Sequence, residues 1–384
     1  MTPGDRLLHG TTDEAFEGLS GLLRQLLAQD PTYAGTLCVH HHGRRVVELW
    51  WGETMDPDAL LPVFSSSKGA VGLVVACLVR NGILSLDERV ATYWPEFAAR
   101  GKEGITVRQL LSHQAGLLGV EPRFTNQELY DHTPLAGRLA DQRPLWAPGA
   151  AHAYHAVTIG VLADELVRRT AGTTLGQYLR DSIAGPRNLE VHLGTPAELD
   201  SRVIDVQLPT PTELADAPDA VPNPGRGSLA ALSLPVGDRA MWIECNEEAF
   251  RRAGTPAGGG LSNARGLAGM YAAVHHEVAG VPRLLDDETV AVMTQLQVWG
   301  RELMNPNPLR SAFAVVFQKP TEHHPWGSYR GFGHDGAGGS LAFCDPYNDV
   351  AFGYTVQRIP LPGGADARAI EMSRLVRQAT RTMR

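Results

Sequence analysis

A serine and a lysine three positions apart, Ser65 and Lys68, are the side chains best suited to covalent chemistry. They precede an apolar, helix-like run over residues 69–79. Residues i and i+3 share one face of a helix, so Ser65 Oγ and Lys68 Nζ can converge. A serine hydroxyl becomes a good nucleophile when a neighbour takes its proton, and a desolvated lysine can do this. Taken alone, the pattern also suits a serine-rich helix start followed by a surface lysine.

Tyr154 is a second candidate for proton transfer. It follows the turn-forming pair Pro148-Gly149 and precedes an amphipathic run over residues 157–169. A phenol there can point into a cleft, and a phenolate stabilised by Lys68 could act as a general base. The structural alternative is a half-buried tyrosine with a satisfied hydroxyl.

Residues 331–340 are rich in glycine, which lets a substrate approach backbone N–H groups closely. Such N–H groups can hold an oxyanion. Gly331, Gly333 and Gly336 also fit the dinucleotide pattern G-x-G-x-x-G. That pattern must open a helix, whereas here the glycines lead into a strand-like run over residues 341–344. We therefore reject dinucleotide binding.

Composition excludes several function classes. The chain has 384 residues, 43% of them hydrophobic, and a net charge of −8 without a basic run. Nucleic-acid binding therefore has no electrostatic basis. Neither a signal peptide nor a membrane-spanning stretch is evident, which predicts a cytoplasmic protein without membrane partners. The partner we expect is a small-molecule substrate, and the oligomeric state stays open.

Cysteines and histidines do not indicate a metal site. The cysteines are widely spaced and read as reduced packing residues: Cys38, Cys77, Cys245 and Cys344. His40, His41 and His42 are adjacent, and adjacent residues of a strand point to opposite faces. No zinc-ligand spacing occurs. We expect neither a metal nor an organic cofactor.

Periodicity predicts an α+β fold. Helices are expected over residues 12–28, 157–169, 175–183, 264–278 and 366–383, and strands over 35–41, 45–51, 310–318, 340–344 and 350–357. A long loop is expected over 208–236. Strands from both ends of the chain would form one antiparallel sheet flanked by helices. Residues 1–75 and 265–384 would form this sheet domain, residues 76–264 an inserted, mostly helical domain, and the site would lie in the cleft between them.

The ordered set of motifs resembles the penicillin-recognising serine hydrolases: class C β-lactamases, D-Ala-D-Ala carboxypeptidases and, most closely, family VIII carboxylesterases. Four stretches carry the resemblance, and they span most of the chain: FSSSK from Phe64, ITVRQLLSHQAGL from Ile105, PGAAHAY from Pro148, and GHDGAGG from Gly333. A glycine stretch over residues 258–260 is also similar. The resemblance implies the β-lactamase/transpeptidase-like fold.

The resemblance also implies roles. Ser65 matches the acylated nucleophile, Lys68 its activating lysine, and Tyr154 the first residue of the Y-x-N motif. The backbone N–H groups of Ser65 and Ala337 match the oxyanion hole. The histidine of the family at the position of His113 is structural.

Two departures from the family pattern bear on the substrate. Y-x-N is replaced by a sequence that lacks the amide, and K-T-G is replaced by His334, Asp335 and Gly336. A permanent cation is thereby lost, and a carboxylate is gained that would repel an anionic substrate. We therefore expect a carboxylesterase acting on neutral esters, with His334, Asp335, Gly336 and Gly338 as substrate-binding residues.

Other activities of the same centre stay open at this stage. They are a β-lactamase, a D-amino-acid peptidase or amidase, and an acyltransferase; a catalytically silent binding protein is the non-enzymatic alternative. The aromatic residues Phe124, Trp242 and Trp326 are candidates for pocket walls.

Overall fold

The computed structural model describes residues 6–216, 228–236, 244–304 and 310–383. Within these ranges the strands are β1 Leu8–Thr12, β2 Gly35–His41, β3 Arg44–Trp51, β4 Leu61–Pro62, β5 Val191–Leu193, β6 Gly260–Ser262, β7 Val298–Gly300, β8 Ser311–Phe313, β9 Phe332–Asp335, β10 Leu341–Asp345 and β11 Val350–Val356.

The main sheet has six antiparallel strands in the order β1-β3-β2-β11-β10-β9. Strand β2 from the start of the chain pairs with β11 from its end, with Gly35 opposite Val356 and His41 opposite Val350. The sheet is therefore built from both ends of the sequence. The segment between them supplies most of the helices.

The α-helices of the described ranges are α1 Glu17–Gln29, α2 Ser67–Arg80, α3 Val90–Tyr93, α4 Val107–Leu111, α5 Asn126–Asp131, α6 Thr133–Asp141, α7 Thr158–Ala171, α8 Leu175–Tyr178, α9 Pro211–Asp216, α10 Leu229–Leu232, α11 Glu248–Ala253, α12 Ala264–His275, α13 Asp287–Thr294 and α14 Ala367–Thr382.

Helices cover the sheet on both faces. On one face, apolar residues of α1 and α14, among them Leu23 and Met372, join the sheet residues in one core. On the other face α12 lies so close that a Cβ on Gly353 would come within 2.4 Å of the Ala264 carbonyl oxygen. A glycine in β11 therefore permits this packing.

Helix α2 is the central element of the second core. Its residues from Ser67 to Leu78 are all buried, and they pack among side chains of α7 and α12. Burial on every side explains why the run is apolar without a polar face. This helix carries Lys68 into the protein interior.

The structure confirms the α+β, β-lactamase-like class, with the antiparallel sheet from both ends and an inserted helical lobe. Several elements differ from prediction. The strand expected over residues 310–318 is only β8, because the chain turns at Val316, which has a left-handed φ of 66°. Only the first part of the helix expected over 175–183, α8, is α-helical. The chain continues as a wider π-helical turn over Leu179–Ala184. Strand β1 was missed.

The loop expected over residues 208–236 contains two short helices, α9 and α10. Its middle part, residues 217–227, lies outside the described ranges. In the described part of the chain, none of the helices is both long enough and apolar enough to cross a lipid bilayer.

Candidate active site

Ser65 lies in a single turn of 3-10 helix, Phe64–Ser66, immediately before α2. Phe64 has a left-handed φ of 48°, which is unusual for a residue with a side chain. Gly338 packs directly against this turn, so closely that a Cβ on Gly338 would lie 2.3 Å from the Phe64 ring. A Cβ on Gly336 would lie 2.3 Å from the Val63 carbonyl oxygen. Both glycines are buried against the serine turn, and direct contact with substrate stays a prediction for them.

Lys68 is fully buried, and its ammonium nitrogen has three hydrogen-bond partners. Nζ lies 3.1 Å from Ser65 Oγ and 2.7 Å from each of the carbonyl oxygens of Ala156 and Ala257. Burial lowers the pKa of Lys68 to about 7, against an opposing effect of the Asp335 carboxylate. Near neutral pH this lysine therefore has a substantial fraction of free amine.

Tyr154 reaches the same oxygen from the other side. Its hydroxyl donates to Ser65 Oγ at 2.9 Å, and its ring stacks on Phe313 with centroids 5.7 Å apart. Contrary to the expectation of a phenolate, burial raises the pKa of Tyr154 above its ordinary value, and Asp335 and Glu302 add to this. The phenol is thus a proton donor in the resting site.

Two histidines hold the segment that carries Tyr154. His113 Nδ1 accepts a hydrogen bond from the backbone N–H of His155 at 3.0 Å. His155 Nε2 in turn accepts from the backbone N–H of Leu117 at 3.0 Å. Burial lowers the pKa of both imidazoles, which keeps them neutral acceptors. These contacts agree with a structural role for His113.

The glycine-rich stretch forms β9 and the turn into β10. His334, at the end of β9, is 2% exposed, and its Nδ1 lies 2.7 Å from the Asp335 carbonyl oxygen. Burial, followed by the nearby Lys68, lowers the pKa of His334 to about 4, so the ring is neutral at physiological pH. Asp335 Oδ2 accepts from the backbone N–H of Ala365 at 2.8 Å.

A cavity of about 260 Å³ opens onto Ser65. It is lined by Ser65, Tyr154, Glu302, Arg310, Ser311, Ala312, Phe313, Gln318, Thr321, His324, His334, Asp335, Ala337 and Gly364. Ser65, Tyr154, His334, Asp335 and Ala337 were predicted for this site from the sequence, and Lys68 lies directly behind Ser65.

Sequence reasoning missed Glu302, Arg310 and Phe313. Glu302 Oε2 accepts from the backbone N–H of Tyr154 at 2.7 Å, and burial raises the pKa of this carboxyl. The Arg310 guanidinium is at the exposed rim, 4.6 Å from the centroid of the Trp299 ring. None of these residues belongs to a recognisable motif, so no sequence signal pointed to them.

The aromatic walls were predicted wrongly where they can be compared. Phe124 and Trp326 are fully buried in the two hydrophobic cores and do not line the cavity. Their apolar bulk is satisfied by packing, which is the ordinary fate of such side chains. Trp242 lies outside the described residues.

The polar clusters elsewhere are ion pairs and hydrogen bonds. His42 and His276 both contact the Asp349 carboxylate, at 2.7 and 2.6 Å. In the ranges that the structure describes, no group of three or more His, Cys, Asp or Glu side chains could hold a metal ion. The four cysteines all lie within the described ranges, where they are buried and form no disulfide.

The fold is that of the β-lactamase-like serine hydrolases, and comparison with known proteins agrees. The sequence matches the family described as Beta-lactamase over residues 19–375, and the chain belongs to this family. It is a serine hydrolase of the β-lactamase and esterase group.

Three similar proteins indicate the branch. The chain is 32% identical to the "Esterase/beta-lactamase LipL" of Mycobacterium tuberculosis (strain ATCC 25618 / H37Rv), over 97% of this chain and 89% of LipL. The structure of EstA from Arthrobacter nitroguajacolicus Rue61a superimposes with a TM-score of 0.90 at 37% identity, covering 97% of this chain and 98% of EstA. A family VIII carboxylesterase superimposes with a TM-score of 0.85 at 28% identity, covering 97% and 99%.

Proposed function

We propose that this protein is a carboxylesterase that cleaves neutral carboxylic esters through an acyl-enzyme on Ser65, with Lys68 and Tyr154 carrying out the proton transfers. One observation carries the proposal. Lys68 Nζ at 3.1 Å and the Tyr154 hydroxyl at 2.9 Å meet at the same oxygen, Ser65 Oγ, beside an open cavity. The names of the similar proteins, which include three esterases, support the ester class.

The hydrogen bonds of Lys68 favour it as the first proton acceptor. Neutral lysine has two N–H bonds and one lone pair, and a carbonyl oxygen can only accept. The carbonyls of Ala156 and Ala257, both at 2.7 Å, therefore take the two N–H bonds. The lone pair is left for the Ser65 hydroxyl, which loses its proton to Lys68 as Oγ attacks the ester carbonyl.

Tyr154 is suited to the second proton transfer. Its raised pKa makes the phenol a donor, and its hydroxyl is adjacent to the oxygen that attacks. When the tetrahedral intermediate collapses, Tyr154 gives its proton to the departing alcohol, and protonated Lys68 restores it. The proton that left Ser65 thus ends on the alcohol.

The developing oxyanion requires fixed donors. Ser65 and Ala337 both line the cavity, and we assign their backbone N–H groups to this task. Losing one such donor typically lowers kcat by about 10²–10³-fold. The glycines behind the serine turn act indirectly, because they set the position of both N–H groups.

The charges around Ser65 favour esters over β-lactams and peptides. The carboxylate of a β-lactam or peptide needs a cation on the side of the cavity formed by the end of β9. The residue at that position is His334, and its low pKa keeps the imidazole neutral. The next residue, Asp335, adds a carboxylate. Arg310 is also a cation, but it lies at the exposed rim over Trp299. A substrate carboxylate close to His334 would therefore meet a negative charge.

Initial rates with p-nitrophenyl butyrate, nitrocefin and a D-alanyl-D-alanine peptide test the proposal. We expect kcat/KM to be highest for the ester and to vanish in Ser65→Ala. The name of LipL favours some β-lactam turnover as a second activity. Efficient nitrocefin hydrolysis with weak ester turnover would reassign the protein as a β-lactamase. Absence of p-nitrophenol release above the Ser65→Ala background would favour a silent binding protein.

A further inference from the structure

The neutral ring of His334 has a defined tautomer. Its Nδ1 lies 2.7 Å from the carbonyl oxygen of Asp335. A carbonyl oxygen can only accept, so Nδ1 carries the proton and Nε2 is left with a bare lone pair.

This lone pair faces no donor from the described part of the protein. Among the described residues, none donates a hydrogen bond to His334 Nε2, although the residue is only 2% exposed. A buried polar atom without a partner is unfavourable, so it calls for a functional explanation. His334 lines the same cavity as Ser65 and Tyr154, and its ring centroid lies 5.8 Å from that of Tyr154. A donor that arrives during the reaction would satisfy it.

The chemistry of deacylation supplies such a donor. The alcohol leaves beside Tyr154, which protonates it, and by microscopic reversibility the molecule that attacks the acyl-enzyme enters on the same side. Water brings two O–H bonds to this position. An alcohol brings one O–H bond and one carbon substituent.

We propose that His334 Nε2 accepts a hydrogen bond from the attacking water, and that it thereby selects hydrolysis over acyl transfer to alcohols. This inference rests on the acyl-enzyme proposed above. The water oxygen bonds to the acyl carbon while its first proton passes to the Tyr154 and Lys68 pair. The bond between the acyl carbon and Ser65 Oγ then breaks, Oγ recovers that proton, and the second proton leaves on the carboxylic acid.

An alcohol cannot make the same contact. Its only O–H proton goes to Tyr154 and Lys68, so a carbon substituent faces the imidazole of His334. The lone pair of Nε2 then receives no hydrogen bond. Water and an alcohol thus differ by one hydrogen bond to His334, which corresponds to about a five- to tenfold difference in the rate of attack on the acyl-enzyme.

Product partitioning measures this difference. The enzyme acts on p-nitrophenyl butyrate at a fixed methanol concentration, and initial rates of butyrate and methyl butyrate formation are compared. His334→Leu removes the lone pair at similar size, and His334→Gln retains an acceptor. His324→Leu is the matched control, because His324 lines the same cavity.

We expect the ratio of methyl butyrate to butyrate to rise about five- to tenfold in His334→Leu. His334→Gln should move back toward the wild-type ratio, and His324→Leu should match it. An unchanged ratio in His334→Leu, or an equal rise in His324→Leu, would overturn the inference.

The ratio does not depend on the fraction of folded enzyme, since both products come from molecules that turned over. His334→Phe provides a second variant without a lone pair if His334→Leu is inactive. A wild-type enzyme that releases no more p-nitrophenol than Ser65→Ala would refute the proposed function itself. Ser65-dependent release of p-nitrophenol with unchanged partitioning in His334→Leu would refute only the role of His334.

Discussion

The pKa of Lys68 gives the sharpest quantitative prediction. Burial lowers it to about 7, and the free amine is the form that can take the Ser65 proton. Acylation is therefore slow below pH 7, where Lys68 is protonated, and its rate reaches a plateau above pH 7. The pH profile of kcat/KM should therefore have an acid limb, in which kcat/KM falls as Lys68 becomes protonated. The inflection reports the pKa of Lys68 in the free enzyme.

The size of this limb follows from the pKa. With a pKa of about 7, the neutral fraction of Lys68 is about 9% at pH 6 and about 91% at pH 8. The expected rise in kcat/KM between these values is about tenfold, followed by a plateau. A lysine with an ordinary pKa of about 10.4 would instead give about a hundredfold rise over this interval and no plateau.

The assay is the initial rate of p-nitrophenol release, read at the isosbestic wavelength of the phenol and phenolate. Lys68→Met should lower kcat/KM by about 10²–10⁴-fold and remove the limb. Asp335→Asn should shift the limb to lower pH, because the Asp335 carboxylate raises the pKa of Lys68.

A matched control exists elsewhere in the chain. Lys102 is also fully buried, donates to two carbonyl oxygens at 2.7 Å, and has a pKa lowered to about 8. Lys102→Met should keep the limb. If the limb survives in Lys68→Met, or if no inflection occurs between about pH 6 and 8 in the wild type, Lys68 is not the base.

Three further predictions concern single residues. Tyr154→Phe should lower kcat/KM by about 10²–10⁴-fold, because the departing alcohol loses its proton donor, as steady-state kinetics would show. Asp164→Ala should lower the free energy of unfolding by about 1–3 kcal/mol in urea titrations, since this buried carboxylate accepts from the backbone N–H of Leu175 at 2.7 Å. Gly336→Ala should lower kcat by about a hundredfold. The new Cβ would lie 2.3 Å from the Val63 carbonyl oxygen and displace the backbone around Ser65 and Ala337, whose N–H groups are the proposed oxyanion donors.

Each of these variants has a neutral counterpart. Tyr329→Phe changes an exposed tyrosine, Asp181→Ala an exposed ion pair, and Gly137→Ala a helix position with open space around it. All three should behave as wild type. Equal losses in a variant and its counterpart, or wild-type behaviour of the variant, would contradict the corresponding argument.

The sequence predicts those parts of the site that depend on local geometry or on a motif. Ser65 and Lys68 are three residues apart where the 3-10 turn continues into α2, so local geometry brings them together. Tyr154 and the turn at Ala337 meet them only through the tertiary fold. Their place was therefore inferred from the family resemblance, which relates distant parts of the chain.

The remaining features depend on contacts that leave no pattern in the sequence. Glu302 binds a backbone N–H, and any residue in place of Tyr154 except proline would offer that group. Phe124 and Phe313 are the same residue type, yet one fills the core and the other stacks on Tyr154. The raised pKa of Tyr154 follows from burial, which a sequence does not specify at a single position.

If acyl transfer takes place on Ser65, mass spectrometry after reaction with an ester analogue should find the label on that residue. The enzyme is exposed briefly to a p-nitrophenyl phosphonate ester and then digested, and the labelled peptide is sequenced. We expect one phosphonyl group per chain on Ser65, with no labelling of Ser65→Ala and slow labelling of Lys68→Met. Stoichiometric labelling at another residue, or undiminished labelling of Ser65→Ala, would contradict it.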